Sequence, residues 1–202
     1  YLKNKSSKRF NYNDLDQIRN FYNGKPIGTW NATSIFKNKE VLIIGPGRQV
    51  KKHENALISF IKKINPVVIA INTQTIKEND LIDLRVACHP MRLLTDIKTH
   101  LKLHQPLIIP LSMLPEDFSI NLKDKETLDY GIGISKGEFK CKEKFSLVPN
   151  SLVLSYALAI VTGGNANNIY LAGFDGYDDN DSKNDEVNEL LFKFKNSYPN
   201  SK

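Results

Sequence analysis

Five short polar clusters in this chain carry residue types that can bind phosphate, bond a base or sugar, or move a proton. They are Gly45-Pro46-Gly47-Arg48, Asn72-Thr73-Gln74, His89-Pro90-Met91-Arg92, Asn150-Ser151 and Asp175-Gly176-Tyr177. Gly45 and Gly47 leave no Cβ between backbone and ligand. A helix starting at such a turn presents free N–H groups and a positive dipole end, which suits phosphate. Arg48 adds a charge-assisted donor. The same spacing also serves a tight strand-to-helix turn with no ligand, and spacing alone does not choose. Asn72 has both a donor and an acceptor for a base or ribose; it equally suits a turn or cap. Asn150 and Ser151 suit a ribose or phosphate, or the cap of the next helix. His89 is the one histidine placed for proton transfer, as acid, base or ligand contact, with a purely structural histidine as the alternative. Asp175 suits an acceptor or a cation. His53, His100 and His104 read as surface residues on helix faces or ends.

Several chemistries find no support. The glycine turn is neither a full G-x-G-x-x-G nor a Walker A loop, which disfavours nicotinamide and P-loop chemistry. No G-x-S-x-G is present, and Cys88 and Cys141 have no histidine partner in a known motif. No histidines and carboxylates share zinc spacing. The run from Asp175 to Glu186 holds Asp178, Asp179, Asp181 and Asp185, but has no glycine at the sixth position of a calcium loop. Its outer members read as a solvated loop; Asp175 differs because it follows a strand directly.

These clusters need elements to position them. Glu40 to Ile44 and Val67 to Ile71 are continuous apolar runs, as parallel strands covered on both faces should be. Between them, Ala56, Leu57, Phe60, Ile61 and Ile64 recur at helical spacing, predicting one helix from about Val50 to Ile64. This is a βαβ unit, with a right-handed crossover expected. Leu84 to Cys88 reads as a third strand, Pro90 to about Leu103 as a helix and Leu107 to Ile109 as a fourth strand. Residues 111–148 read as irregular, with a hairpin around Gly137; long segments of that kind often serve as lids or binding loops. A helix follows Ser151, Ile169 to Ala172 is another strand, and a last helix runs from about Asp185 to Phe194. Alternation of this kind predicts an α/β, Rossmann-like, doubly wound and mainly parallel sheet with helices on both faces. Ligands bind such sheets outside the carboxyl ends of the strands, where strand order switches. Four of the clusters directly follow strands, Asn150-Ser151 opens a helix, and all five are expected to converge in space.

Residues 1–39 form a lead-in arm, with a helix capped by Asn13-Asp14 and ending at Tyr22, and with Trp30 packing the arm onto the body. Residues 40–202 form the binding domain. The 202 residues carry 28 Lys and Arg against 22 Asp and Glu, a formal charge of +6. The excess is concentrated in the arm, and no aromatic-interleaved basic stripe accompanies it, so nucleic acid is not an expected partner. No apolar run reaches the roughly 20 residues of a membrane helix. Two cysteines without metal spacing suit free thiols in the cytoplasm. The chain begins at Tyr1 with neither an initiator methionine nor a signal stretch, and we expect it to be a piece of a longer protein.

Val41 to Gly47 followed by Ile69-Ala70-Ile71-Asn72 resembles the opening of the MptE-like superfamily, which includes dihydropterin pyrophosphokinases and flagellin-glycosylating accessory factors. The layout also resembles the family 42 sialyltransferases, which use CMP-sialic acid on a Rossmann-like fold. The likeness covers roughly residues 40–180. It implies a nucleotide or CMP-sugar ligand held by Gly45, Pro46, Gly47, Arg48, Asn72, Asn150, Ser151 and Tyr177. His89 and Asp175 would be the catalytic pair, and Mg²⁺ could accompany the nucleotide. Arg48-Gln49 stands where the family carries Ser, and no histidine follows His104 to match the sialyltransferase one. Gly28-Thr29-Trp30, His89 to Leu94, Tyr156 to Ala159 and Leu171 to Tyr177 are similar to a C-terminal module on HMG-CoA-lyase-type aldolases of surface-polysaccharide gene clusters. Two expectations follow: a domain taking part in glycosyl or pyrophosphoryl transfer in bacterial surface-polysaccharide synthesis, or a non-catalytic module of an aldolase whose chemistry lies in an attached barrel domain.

Overall fold

The structure, a computed structural model, describes residues 21–135, 137, 139–176 and 183–199. The expected Asn13-Asp14 cap, Tyr177, and Asp178, Asp179 and Asp181 lie outside the described residues. The elements are α1 (Thr33–Phe36), β1 (Glu40–Ile44), α2 (Arg48–Lys52), α3 (Glu54–Ile64), β2 (Val67–Ile71), β3 (Leu84–Val86), α4 (Pro90–Lys102), β4 (Leu107–Ile109), α5 (Glu116–Asn121), β5 (Thr127–Asp129), β6 (Gly131–Ile134), β7 (Lys140–Cys141), β8 (Phe145–Val148), α6 (Val153–Gly163), β9 (Asn168–Ala172) and α7 (Lys183–Ser197).

Six strands form one parallel sheet in the order β5-β4-β3-β2-β1-β9. The chain starts at β1, works outward to β5 and returns to the other side of β1 with β9. Strand order therefore reverses between β1 and β9. Both faces are covered, as the apolar runs require. Leu42, Ile44, Val68 and Ala70 pack with Val50, Ile58 and Ile61 of α2 and α3. The alternate residues Val41, Ile43, Ile69 and Ile71 face the larger core, built around α6. This is the Rossmann-like, doubly wound α/β architecture.

The predicted helix over 50–64 is two helices. It breaks at His53, whose φ of −110° departs from helical values while its N–H still bonds the Gln49 carbonyl at 2.9 Å. The left-handed Asn65 (φ 52°) and the following Pro66 end α3. Residues 111–148 are more ordered than their pattern suggests. Thr127–Asp129 is the sixth strand of the main sheet, and β6, β8 and β7 make a second sheet in that order. The antiparallel pair is β7 with β8, joined through residues 142–144, rather than a hairpin centred on Gly137. The second sheet has a physical purpose. Leu154 to Val161 of α6 are all buried, so α6 is apolar on every side and needs cover opposite the main sheet. β7 and β8 supply it.

The described part of the arm is built into the same core. Phe21, Ala32 and Phe36 are buried, and Trp30 packs edge-on against Phe36 and Tyr130 with ring centroids 6.1 and 6.4 Å away. Asp129 anchors it. Its carboxylate accepts the Thr29 N–H and hydroxyl, both at 3.0 Å, and the Ser112 N–H and hydroxyl at 2.9 and 2.5 Å. One expectation is overturned. His100 is fully buried, not a surface residue, because it sits on the inward face of α4 toward Arg85 and Lys125.

Candidate functional site

A cleft of about 560 Å³ opens at the carboxyl ends of β1, β2 and β9, at the reversal of strand order. Its rim and walls come from Pro46 to Gln49, Asn72, Arg92, Leu152 to Leu154 and Gly173 to Gly176. The volume suits a nucleotide-sized ligand, since small-molecule pockets run about 300–1,000 Å³.

Two loops are fastened together at its centre. Gly45 N–H donates to the Ala172 carbonyl at 2.8 Å, and Gly47 N–H to the Gly173 carbonyl at 2.9 Å. Such an approach admits no side chain. A Cβ on Gly47 would run into the Asp175 carboxylate, and one on Gly45 would lie 2.6 Å from the Gly173 carbonyl oxygen. Gly173 itself takes a φ of +76°. The Asp175 carboxylate therefore rests against the glycine turn, where Oδ2 accepts the Gln49 N–H at 3.3 Å. An anionic oxygen already stands at the start of α2. A phosphate arriving there either turns Asp175 aside or shares a cation with it.

Asn72 is the most informative wall residue. It takes a left-handed φ of 51°, and its N–H bonds the Val86 carbonyl at 2.8 Å. Its Oδ1 is shielded and has no hydrogen-bond partner. An acceptor left unpaired in this way costs about 1–3 kcal/mol. Arg92, one turn into α4, adds a cation whose Nε also bonds Asp96 at 2.9 Å.

The other expected residues separate into those the cleft gathers and those it does not. Pro46, Gly47, Arg48, Asn72 and Asp175 line it; Gly45, expected there, is outside the lining. Asn150 is neither in the lining nor the cap of α6, whose N-cap is Leu152; its Oδ1 makes a local turn before the helix by accepting the Leu152 N–H at 3.2 Å, and it also accepts the Ser155 hydroxyl. Ser151 is exposed, with its carbonyl accepting the Cys88 thiol at 3.7 Å. His89 is exposed at the head of α4, outside the lining. Sequence reasoning missed the apolar wall of Leu152, Val153, Leu154 and Val187, which carries no chemical signature. Arg92 was visible as a polar residue after β3 but was not distinguished from its neighbours.

Mg²⁺ usually takes one or two carboxylates and completes its shell with phosphates and water. Asp175 beside the glycine turn fits that pattern as a single protein ligand. Among the described residues no group of three or more His, Cys, Asp or Glu could hold a metal without such help. No helix among them is long and apolar enough to cross a membrane. No family model matches the chain, and no curated protein does.

Proposed function

We propose that the cleft binds a nucleotide or nucleotide-sugar of the CMP-sugar kind, in the cytoplasm, for glycosyl or pyrophosphoryl transfer in bacterial surface-polysaccharide synthesis. The observation that carries this reading is the shielded, unpartnered Asn72 Oδ1 at the switch-point cleft, beside a glycine turn and Arg92. A rotation of the Asn72 side chain would bring its buried acceptor to an amino or hydroxyl group of the base or sugar. Arg48, beside the Gly47 turn, would take the phosphate, and the Leu152–Leu154 wall would cover the apolar face of the base. Mg²⁺ bound with the phosphates would neutralise their charge, and Asp175 would hold it against the turn.

A second reading has its own support. Among the described lining residues the only base is Asp175, and that carboxylate already accepts a bond from Gln49. His89, the expected proton carrier, stands outside the lining. A cleft with binding groups and so little acid–base equipment suits a non-catalytic module attached to an aldolase barrel.

Thermal unfolding with CMP, CTP, CMP-sugars and ATP, with and without Mg²⁺, tests both. A ligand at 100 times its Kd adds about 2.7 kcal/mol, or about 5–10 °C in Tm for a chain this long. A shift with release of free nucleotide from a CMP-sugar supports transfer. A shift without turnover supports the attached module, and no shift with any nucleotide refutes the binding site itself.

A further inference from the structure

Arg85 lies at the centre of β3 and is completely buried, yet among the described residues no carboxylate pairs with it. All its bonds go to neutral oxygens. Nη1 donates to the carbonyls of Asn72 at 3.3 Å and Gln74 at 2.7 Å. Nη2 donates to Asn79 Oδ1 at 3.1 Å and Nε to Gln105 Oε1 at 2.9 Å. Gln105 Nε2 in turn bonds the Asn79 carbonyl at 2.9 Å. Burying a charge with no counter-ion is expensive, and an apolar residue would pack a three-residue buried strand without that cost. What the guanidinium does here is span the loop after β2 from beneath, at both ends of the Asn72–Gln74 turn.

That turn is the one holding Asn72, a residue of the cleft wall, in its left-handed conformation, with its side-chain oxygen unpaired and closed off from solvent. We propose that Arg85 is a positioning residue of the cleft: it clamps the Asn72–Gln74 turn so that Asn72 is held in the wall, and a ligand donor meets its acceptor after a rotation of the side chain alone. A fork with fixed geometry suits this task and an ammonium does not, because one point charge cannot reach both carbonyls and both side-chain partners. The clamp is read from the fold; its consequence for ligands rests on the nucleotide reading above.

Two measurements separate these. Hydrogen exchange follows the amides of residues 73–76 in the wild type, Arg85→Lys and Gln105→Ala, with urea unfolding recording global stability. Exchange there should accelerate at least about tenfold beyond what the change in global stability explains, more in Arg85→Lys than in Gln105→Ala. Gln105→Ala keeps the arginine and deletes one neutral partner, so it remains informative should Arg85→Lys fail to fold. Acceleration no greater than the global change overturns the clamp, whether or not any nucleotide binds. In the second measurement, CMP is titrated into Arg85→Lys, Asn72→Ala and the double variant. If Arg85 acts through Asn72, each single change weakens CMP about tenfold and the double variant is no weaker than Asn72→Ala alone. A loss of about a hundredfold in the double variant would show independent, merely structural effects and overturn the proposal.

Discussion

Acidification should destabilise this protein through His100. The imidazole is fully buried in α4, and neither ring nitrogen has a hydrogen-bond partner. Burial, with Arg85, Lys125 and Arg92 nearby, pushes its pKa down from 6.5 to about 4; Asp96 opposes this only in part. The folded chain thus resists a proton that the unfolded chain accepts. Stability is whole above pH 6.5 and is lost as pH falls toward 4. A gap of 2.5 units at 1.36 kcal/mol each gives about 3 kcal/mol in total, and about 2 kcal/mol is already gone at pH 5. Urea unfolding of the wild type and His100→Leu at pH 5, 6, 7 and 8 reads this. The leucine removes two unpaired polar atoms without breaking a hydrogen bond, so at pH 8 the variant should match or slightly exceed the wild type. At pH 5 it should exceed it by about 2 kcal/mol more than at pH 8. Parallel profiles, or a variant that loses ground on acidification, would refute the reasoning.

Gly47→Ala should push the Asp175 carboxylate off the turn, costing about 1–3 kcal/mol in urea unfolding and abolishing the nucleotide-induced Tm shift. Asp175→Asn keeps a side-chain oxygen for the Gln49 N–H and removes the charge; calorimetric titration should find CTP binding tighter without Mg²⁺ and gaining less when Mg²⁺ is added. Asp129→Ala strands the Thr29 and Ser112 donors and should lower stability by about 3 kcal/mol, seen as a Tm fall of about 6–12 °C. Asn72→Ala should leave stability within about 1 kcal/mol of wild type, since relief of the unpaired Oδ1 is offset by the cost of alanine at the left-handed φ of 51°, while CMP binding weakens.

The central sheet and the glycine turn were legible because their signals are local. Val41–Ile44 and Val67–Ile71 are unbroken apolar runs, and a doubly covered parallel strand has no other way to read. The place where strand order reverses, between β1 and β9, was not legible, because alternation predicts a doubly wound sheet without saying which strands flank the reversal. β5 was not legible: Thr127–Asp129 is three residues with one apolar side chain, and only the edge of an existing sheet makes it a strand. The second sheet likewise exists to cover α6, a requirement that appears once α6 is seen to be buried all round. Arg85 and His100 carry polar labels into the core, where their partners are 6 to 20 residues away or missing altogether, so periodicity could not place them inside. In the cleft, the residues found from sequence are those that act through backbone or charge; the apolar wall has no motif to find.

The most direct test is titration of the ¹⁵N-labelled chain with CMP and Mg²⁺, following backbone amides and the Asn72 side-chain amide. The account predicts saturable shifts confined to Gly45, Gly47–Gln49, Asn72, Leu152–Leu154 and Gly173–Gly176. Shifts centred away from that cleft, or none at millimolar nucleotide, would contradict it.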